Sequence, residues 1–86
     1  MTLILERSLN GGTQKLHKFD NGFGASVVQH SFSYGADQGL WELAIVVFDG
    51  DAYKLTYETE ITDDVLGYLT EEDVSELLVQ IENLKA

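Results

Sequence analysis

The run "LWELAIVVF" (40–48) is apolar at every position but Glu42, and in "AYKLTYET" (52–59) apolar and polar residues alternate from Tyr53 to Glu58. A period of two puts successive side chains on opposite faces of a β-strand. In the first run Trp41, Leu43, Ile45 and Val47 share a face; in the second, Tyr53, Leu55 and Tyr57 do. Matching these odd-numbered sets predicts a hairpin with a three-residue loop, Asp49-Gly50-Asp51. Val47 then stands opposite Tyr53, Ile45 opposite Leu55 and Leu43 opposite Tyr57. Asp51 takes the left-handed conformation, which aspartate tolerates better than most residues. The even face of the first run (Leu40, Ala44, Val46, Phe48) is more apolar than a wet face requires. A central strand covered on both sides accounts for it; cover by the amino-terminal segment or by a second subunit is the alternative.

From residue 70 the period lengthens. Val74, Leu77, Leu78, Ile81 and Leu84 recur at helical spacing and form one stripe. Thr70 is a natural N-cap with Asp73 three residues on, and Glu71 and Glu72 lie where the helix dipole favours negative charge. The stripe is expected to pack on the Trp41–Tyr57 face, leaving Val79 on the polar side with Glu72, Ser75 and Asn83. Turn signals at "NGG" (10–12), "DNG" (20–22), "SYGADQG" (33–39) and "FDGD" (48–51) separate short apolar runs. The pattern predicts one α+β domain over residues 1–86: a four- to five-stranded antiparallel meander with one C-terminal helix packed on one face. "TLILERSL" (2–9) is a candidate further edge strand, and the strand order is open.

One stretch, "FDNGFGASVV" (19–28), invites a different reading because two of its glycines are spaced as in a phosphate loop. Such a loop needs a strand, G-x-G-x-x-G and then a helix. Here Val27 stands where the third glycine belongs, and "ASVVQHSF" (25–32) is rich in β-formers. Asn21-Gly22 instead signals a two-residue hairpin, which places Gly24 opposite Phe19, whose ring then covers the bare backbone.

Composition narrows the chemistry. No cysteine is present, so neither disulfides nor thiolate metal sites are available. The early apolar run is short and meets Glu6, and nothing approaches the roughly 20 apolar residues of a membrane span, so a cytoplasmic protein is expected. His17 and His30 lack the spacing of zinc motifs. The serines lack G-x-S-x-G. Asp49, Asp51, Asp63 and Asp64 lack the arrangement of a calcium loop. No catalytic, cofactor-binding or metal-ligating residue is expected, no cofactor, and no enzyme activity.

Charge is the strongest remaining signal. The formal net charge is −10, and residues 49–86 hold eleven acids against Lys54 and Lys85, whereas residues 1–48 hold four acids against three bases. Such a surface repels nucleic acid and anionic membranes and attracts basic partners. The run "ITDDVLGYLTEEDVSE" (61–76) gathers Asp63, Asp64, Glu71, Glu72, Asp73 and Glu76, the candidate partner-binding residues. A merely solvated surface is the competing account.

Together "FDNGFGASVV" (19–28), "GLWELAIV" (39–46) and "ITDDVLGYLTEEDV" (61–74) resemble a group of small acidic proteins encoded by tailed bacteriophages and prophages. The similarity runs from about Phe19 to Leu84. It implies a setting, the cytoplasm of an infected bacterium, and no catalytic residues. The expected function is a non-enzymatic binding protein that occludes a host or phage protein with a basic surface. The alternatives are a structural or assembly component acting as a homo-oligomer through the Val46–Phe48 face, an acidic DNA mimic, and a small enzyme.

Overall fold

Chain order gives six strands and a helix: β1 (Thr2–Leu9), β2 (Gly12–Lys18), β3 (Phe23–Gln29), β4 (Trp41–Asp49), β5 (Ala52–Leu55), β6 (Leu66–Leu69) and α1 (Glu71–Glu82). These come from a computed structural model that describes residues 2–9, 11–30, 38–50, 52–62 and 64–85, with backbone alone at 2–4 and 9. Strands β1 to β5 lie in sequence order, each antiparallel to the next, as an α+β meander. The segment 2–9 is indeed an edge strand.

The sixth strand was not apparent in the sequence. Trp41 pairs with Leu69 and Leu43 with Leu66, so β6 takes the half of the β4 edge that β5 leaves open. The segment between leaves the sheet after the Thr56 amide donates to the Ile45 carbonyl (2.9 Å). Four β6 residues (66–69) span three of β4 (41–43), and Tyr68 absorbs the mismatch at φ 58°, a left-handed value uncommon for an aromatic residue.

Two loops differ from expectation, and in opposite directions. Asp49 pairs with Ala52, so the β4–β5 turn has two residues, 50 and 51, with Gly50 at φ 64°. Phe48 therefore faces Tyr53, and Val46 faces Leu55. The apolar sets do match across the hairpin, but β5 joins the even face of β4 and not the face under the helix. Asp51 lies outside the described residues. At the "DNG" turn the loop has three residues instead of two. The Phe19 amide donates to the Phe23 carbonyl (2.9 Å) and the Gly22 amide to the Phe19 carbonyl (3.2 Å), with Gly22 at φ 87°. This is a tight turn closed by a left-handed glycine. Lys18, not Phe19, stands opposite Gly24.

The wider loop frees Asn21 for another task. Its Oδ1 accepts from the Phe23 amide (3.0 Å), while Nδ2 donates to the carbonyls of Ile81 (2.9 Å), Glu82 (3.2 Å) and Leu84 (2.9 Å). Carbonyls at a helix C-terminus lack intrahelical partners. A hairpin turn some sixty residues upstream thus supplies the donors for this end. At the other end the cap is as the sequence predicts. Thr70 Oγ1 accepts from the Asp73 amide (3.1 Å), and Asp73 Oδ2 accepts from the Thr70 amide (3.0 Å).

Between these fixed ends Val74, Leu78 and Ile81 bury themselves on Phe19, Ala25, Val27, Leu43 and Ile45. Each buried aliphatic side chain contributes on the order of 1.5–3 kcal/mol before entropy is charged. Leu77 and Leu84 pack at the margin with Phe23, Trp41, Ile61 and Leu69. The face away from the helix is buried in its middle as well. Val46 is fully enclosed and Leu16 and Val28 nearly so. Here Arg7 Nε donates to Gln14 Oε1 (2.7 Å), and Gln14 Nε2 donates to Ser26 Oγ (2.8 Å), a polar chain across three strands. The expectation that β4 is covered on both sides holds at Val46.

Candidate functional site

The acidic candidates fall into two groups. Glu71, Glu72, Asp73 and Glu76 occupy the exposed first turns of α1. Asp64 sits before β6, and the strand places it roughly 15–20 Å from the helix start at about 3.3 Å per residue. Asp63 lies outside the described residues. Not all of these carboxylates are equally free. Asp73 closes the capping box, and Asp64 Oδ1 accepts from the Val65 amide (2.7 Å) while its own amide donates to Thr62 Oγ1 (3.1 Å). Both are committed to turn geometry. Glu72 and Glu76, four residues apart, share one outward face of the helix.

The altered hairpin register brings a different set of residues to the surface. Tyr53 (38% exposed) and Leu55 (47%) lie on β5 at the outer edge of the sheet, not under α1, and Tyr57 (45%) follows just beyond the strand. Tyr68, at the β6 bulge, is more exposed still. Phe48 anchors the row, its ring centroid 5.6 Å from that of Tyr53. On its other side the Lys18 ammonium lies 5.2 Å from the Phe48 centroid. Exposed Glu58, Glu60 and Asp64 follow directly in the chain. Thr59 Oγ1 donates to the Thr62 carbonyl (3.3 Å), which shapes the segment that carries them. The result is an aromatic strip bordered by carboxylates. The signal for it was present in the apolar even face of β4, which needed a partner of its own.

A second concave feature separates α1 from β2. It is lined by Lys15, His17, Val27, Trp41, Glu71, Val74, Ser75 and Leu78, and encloses about 310 Å³. The Lys15 ammonium stands 5.1 Å from the Trp41 centroid. His17 Nδ1 is shut off from solvent and has no hydrogen-bond partner. Burial lowers the pKa of His17 below the usual imidazole value, and the charge of Lys15 lowers it further, so the ring is held neutral. Among the described residues no group of three or more His, Cys, Asp or Glu is placed to hold a metal ion, and no helix is long and apolar enough to cross a membrane.

Compared with known proteins, the chain matches no family model, no curated protein and no solved structure.

Proposed function

We propose that this chain is a non-enzymatic binding protein that docks on a protein with a basic surface and occludes it, in the phage setting its sequence resemblance implies. The observation that carries this reading is the strip of Tyr53 and Leu55, exposed on an edge strand, with exposed Tyr57 just beyond it, followed by Glu58, Glu60 and Asp64. Tyrosine supplies much of the binding energy at protein interfaces, and surrounding carboxylates steer a cationic partner toward it. The carboxylates of Glu71, Glu72 and Glu76 extend the negative field along α1.

The test has two steps. Tagged protein captures partners from a bacterial lysate at low and then high salt, and association with the captured protein is then timed. Exchanging Glu71, Glu72 and Glu76 for glutamine should slow association and flatten its salt dependence. Tyr53→Ala and Tyr57→Ala should instead speed dissociation, each by roughly tenfold or more if the residue is a hot spot. Association at low salt that ignores the glutamine exchanges would remove the electrostatic half of the proposal.

The same open edge favours one second reading, self-assembly along β5. A net charge of −10 on each copy opposes that pairing. Molar mass from light scattering separates the two. A DNA mimic draws less support, because the body is compact at 35 × 24 × 19 Å and its helix-start acids lie apart from Asp64.

A further inference from the structure

We propose that the cleft between β2 and α1 binds a small zwitterion with an apolar body, of the size and charge pattern of a free amino acid such as leucine. The cleft exists because α1 rests on β3, β4 and β6, which leaves its flank standing beside β2. Glu71, Val74, Ser75 and Leu78 recur at helical spacing and form one wall; Lys15 and His17, alternate residues of β2, form the other. At about 310 Å³ it lies at the small end of the range for ligand sites, roughly 300–1,000 Å³, and suits one compact metabolite.

The polarity of the walls is ordered along the cleft. Trp41 pairs with Leu69, and α1 begins two residues after Leu69, so Glu71 starts the helix beside the indole on which Lys15 rests. A cation, an aromatic face and a carboxylate therefore meet at one end. Val27, Val74 and Leu78, all buried and apolar, line the remainder together with the exposed Ser75. His17 belongs with the apolar part: burial keeps its ring neutral and its Nδ1 is enclosed. This is the layout of an α-amino acid, with both charges at the head and an apolar tail. The ligand carboxylate accepts from the Lys15 ammonium, which has three N–H donors that an aromatic face uses poorly. The ligand ammonium meets Glu71. A simple anion would be opposed by Glu71 and a simple cation by Lys15, so the pair selects for a molecule carrying both charges.

Trp41 is the one tryptophan of the chain, so its fluorescence comes from a residue that lines the cleft. The probes are L-leucine, leucine amide (cation only) and 4-methylpentanoate (anion only). L-Leucine should give a saturable change with Kd on the order of 1 mM, and each singly charged analogue should bind roughly tenfold more weakly. Lys15→Met and Glu71→Gln should each cost a similar factor in leucine affinity. The probe series on the unaltered chain stands by itself if a variant folds poorly. No saturable change up to about 50 mM leucine overturns the proposal. So does an analogue that binds as well as leucine, or retention of full affinity in both folded variants.

Discussion

His17 shows how a single residue ties the sheet to solution conditions. In the fold its pKa lies below the ordinary imidazole value of about 6.5, first because it is buried and second because Lys15 is near. The unfolded chain therefore binds this proton more readily than the fold does. Stability is fully present above about 6.5 and declines as pH falls from there through the lower folded value. His17→Gln removes the effect, so thermal midpoints should fall less for the variant than for the parent between pH 7.5 and 5.5. Parallel profiles would show that the imidazole carries no such linkage. The residue scale also shows what the sequence conceals. Gly24 was expected to be roofed by Phe19, yet a Cβ there would lie 2.5 Å from Phe48 Cε2 and 2.3 Å from the His17 carbonyl oxygen. The need for a bare backbone was legible. The ring that supplies the cover depends on a loop length that Asn-Gly does not specify.

The elements differ in how strongly the sequence states them. The C-terminal helix was legible at both its cap and its stripe, because Thr70, Asp73 and the repeat of Val74, Leu78 and Ile81 all point to one solution. The β4–β5 register was not, since both faces of β4 are apolar and alternation cannot choose between them. Strand β6 escaped because it is four residues long, bulged at Tyr68 and embedded among acids. The clamp on the helix end escaped for another reason: it joins Asn21 to residues sixty positions away. Its energetic weight can be measured. Asn21→Ala removes the amide whose two N–H groups are shared among three carbonyls and should cost about 1–2 kcal/mol in denaturant unfolding. Asn21→Asp should cost more, because a carboxylate cannot donate and adds negative charge at the negative end of the helix. A variant as stable as the parent would mean that water serves those carbonyls equally well.

At the scale of the molecule, charge and size act together. The radius of gyration is 12.1 Å, near the Debye length of about 10 Å at 0.1 M salt. Modest salt therefore screens the self-repulsion of a −10 chain across its whole width. The thermal midpoint should rise by several degrees between about 10 mM and 0.2 M sodium chloride, as a gain near 1 kcal/mol would produce in a domain of this length. A flat response would mean that the carboxylates are already neutralised by bound cations. The same charge imbalance made an acidic surface legible in the sequence. It did not indicate which acids are committed to caps and turns, as Asp73 and Asp64 are. Nor did it show that an aromatic strip would lie beside them.

The turn at Asn21-Gly22 also makes the protein its own clock. An asparagine followed by glycine loses its side-chain amide when the glycine amide nitrogen attacks the side-chain carbonyl carbon: ammonia leaves, and water opens the resulting succinimide to aspartate or isoaspartate. In the fold that amide is engaged with the Phe19 carbonyl, and the asparagine amide is held by the helix end. Conversion therefore proceeds only while the hairpin and the helix terminus have parted. Each event is irreversible because the ammonia is lost, and the new carboxylate cannot donate to Ile81, Glu82 or Leu84, so the clamp does not re-form. Peptide mapping of aged samples should find the amide lost at Asn21 at a rate that follows local opening, and slower in any condition that steadies the helix end. Age, for this chain, is written at the one turn that fastens its last helix to its sheet.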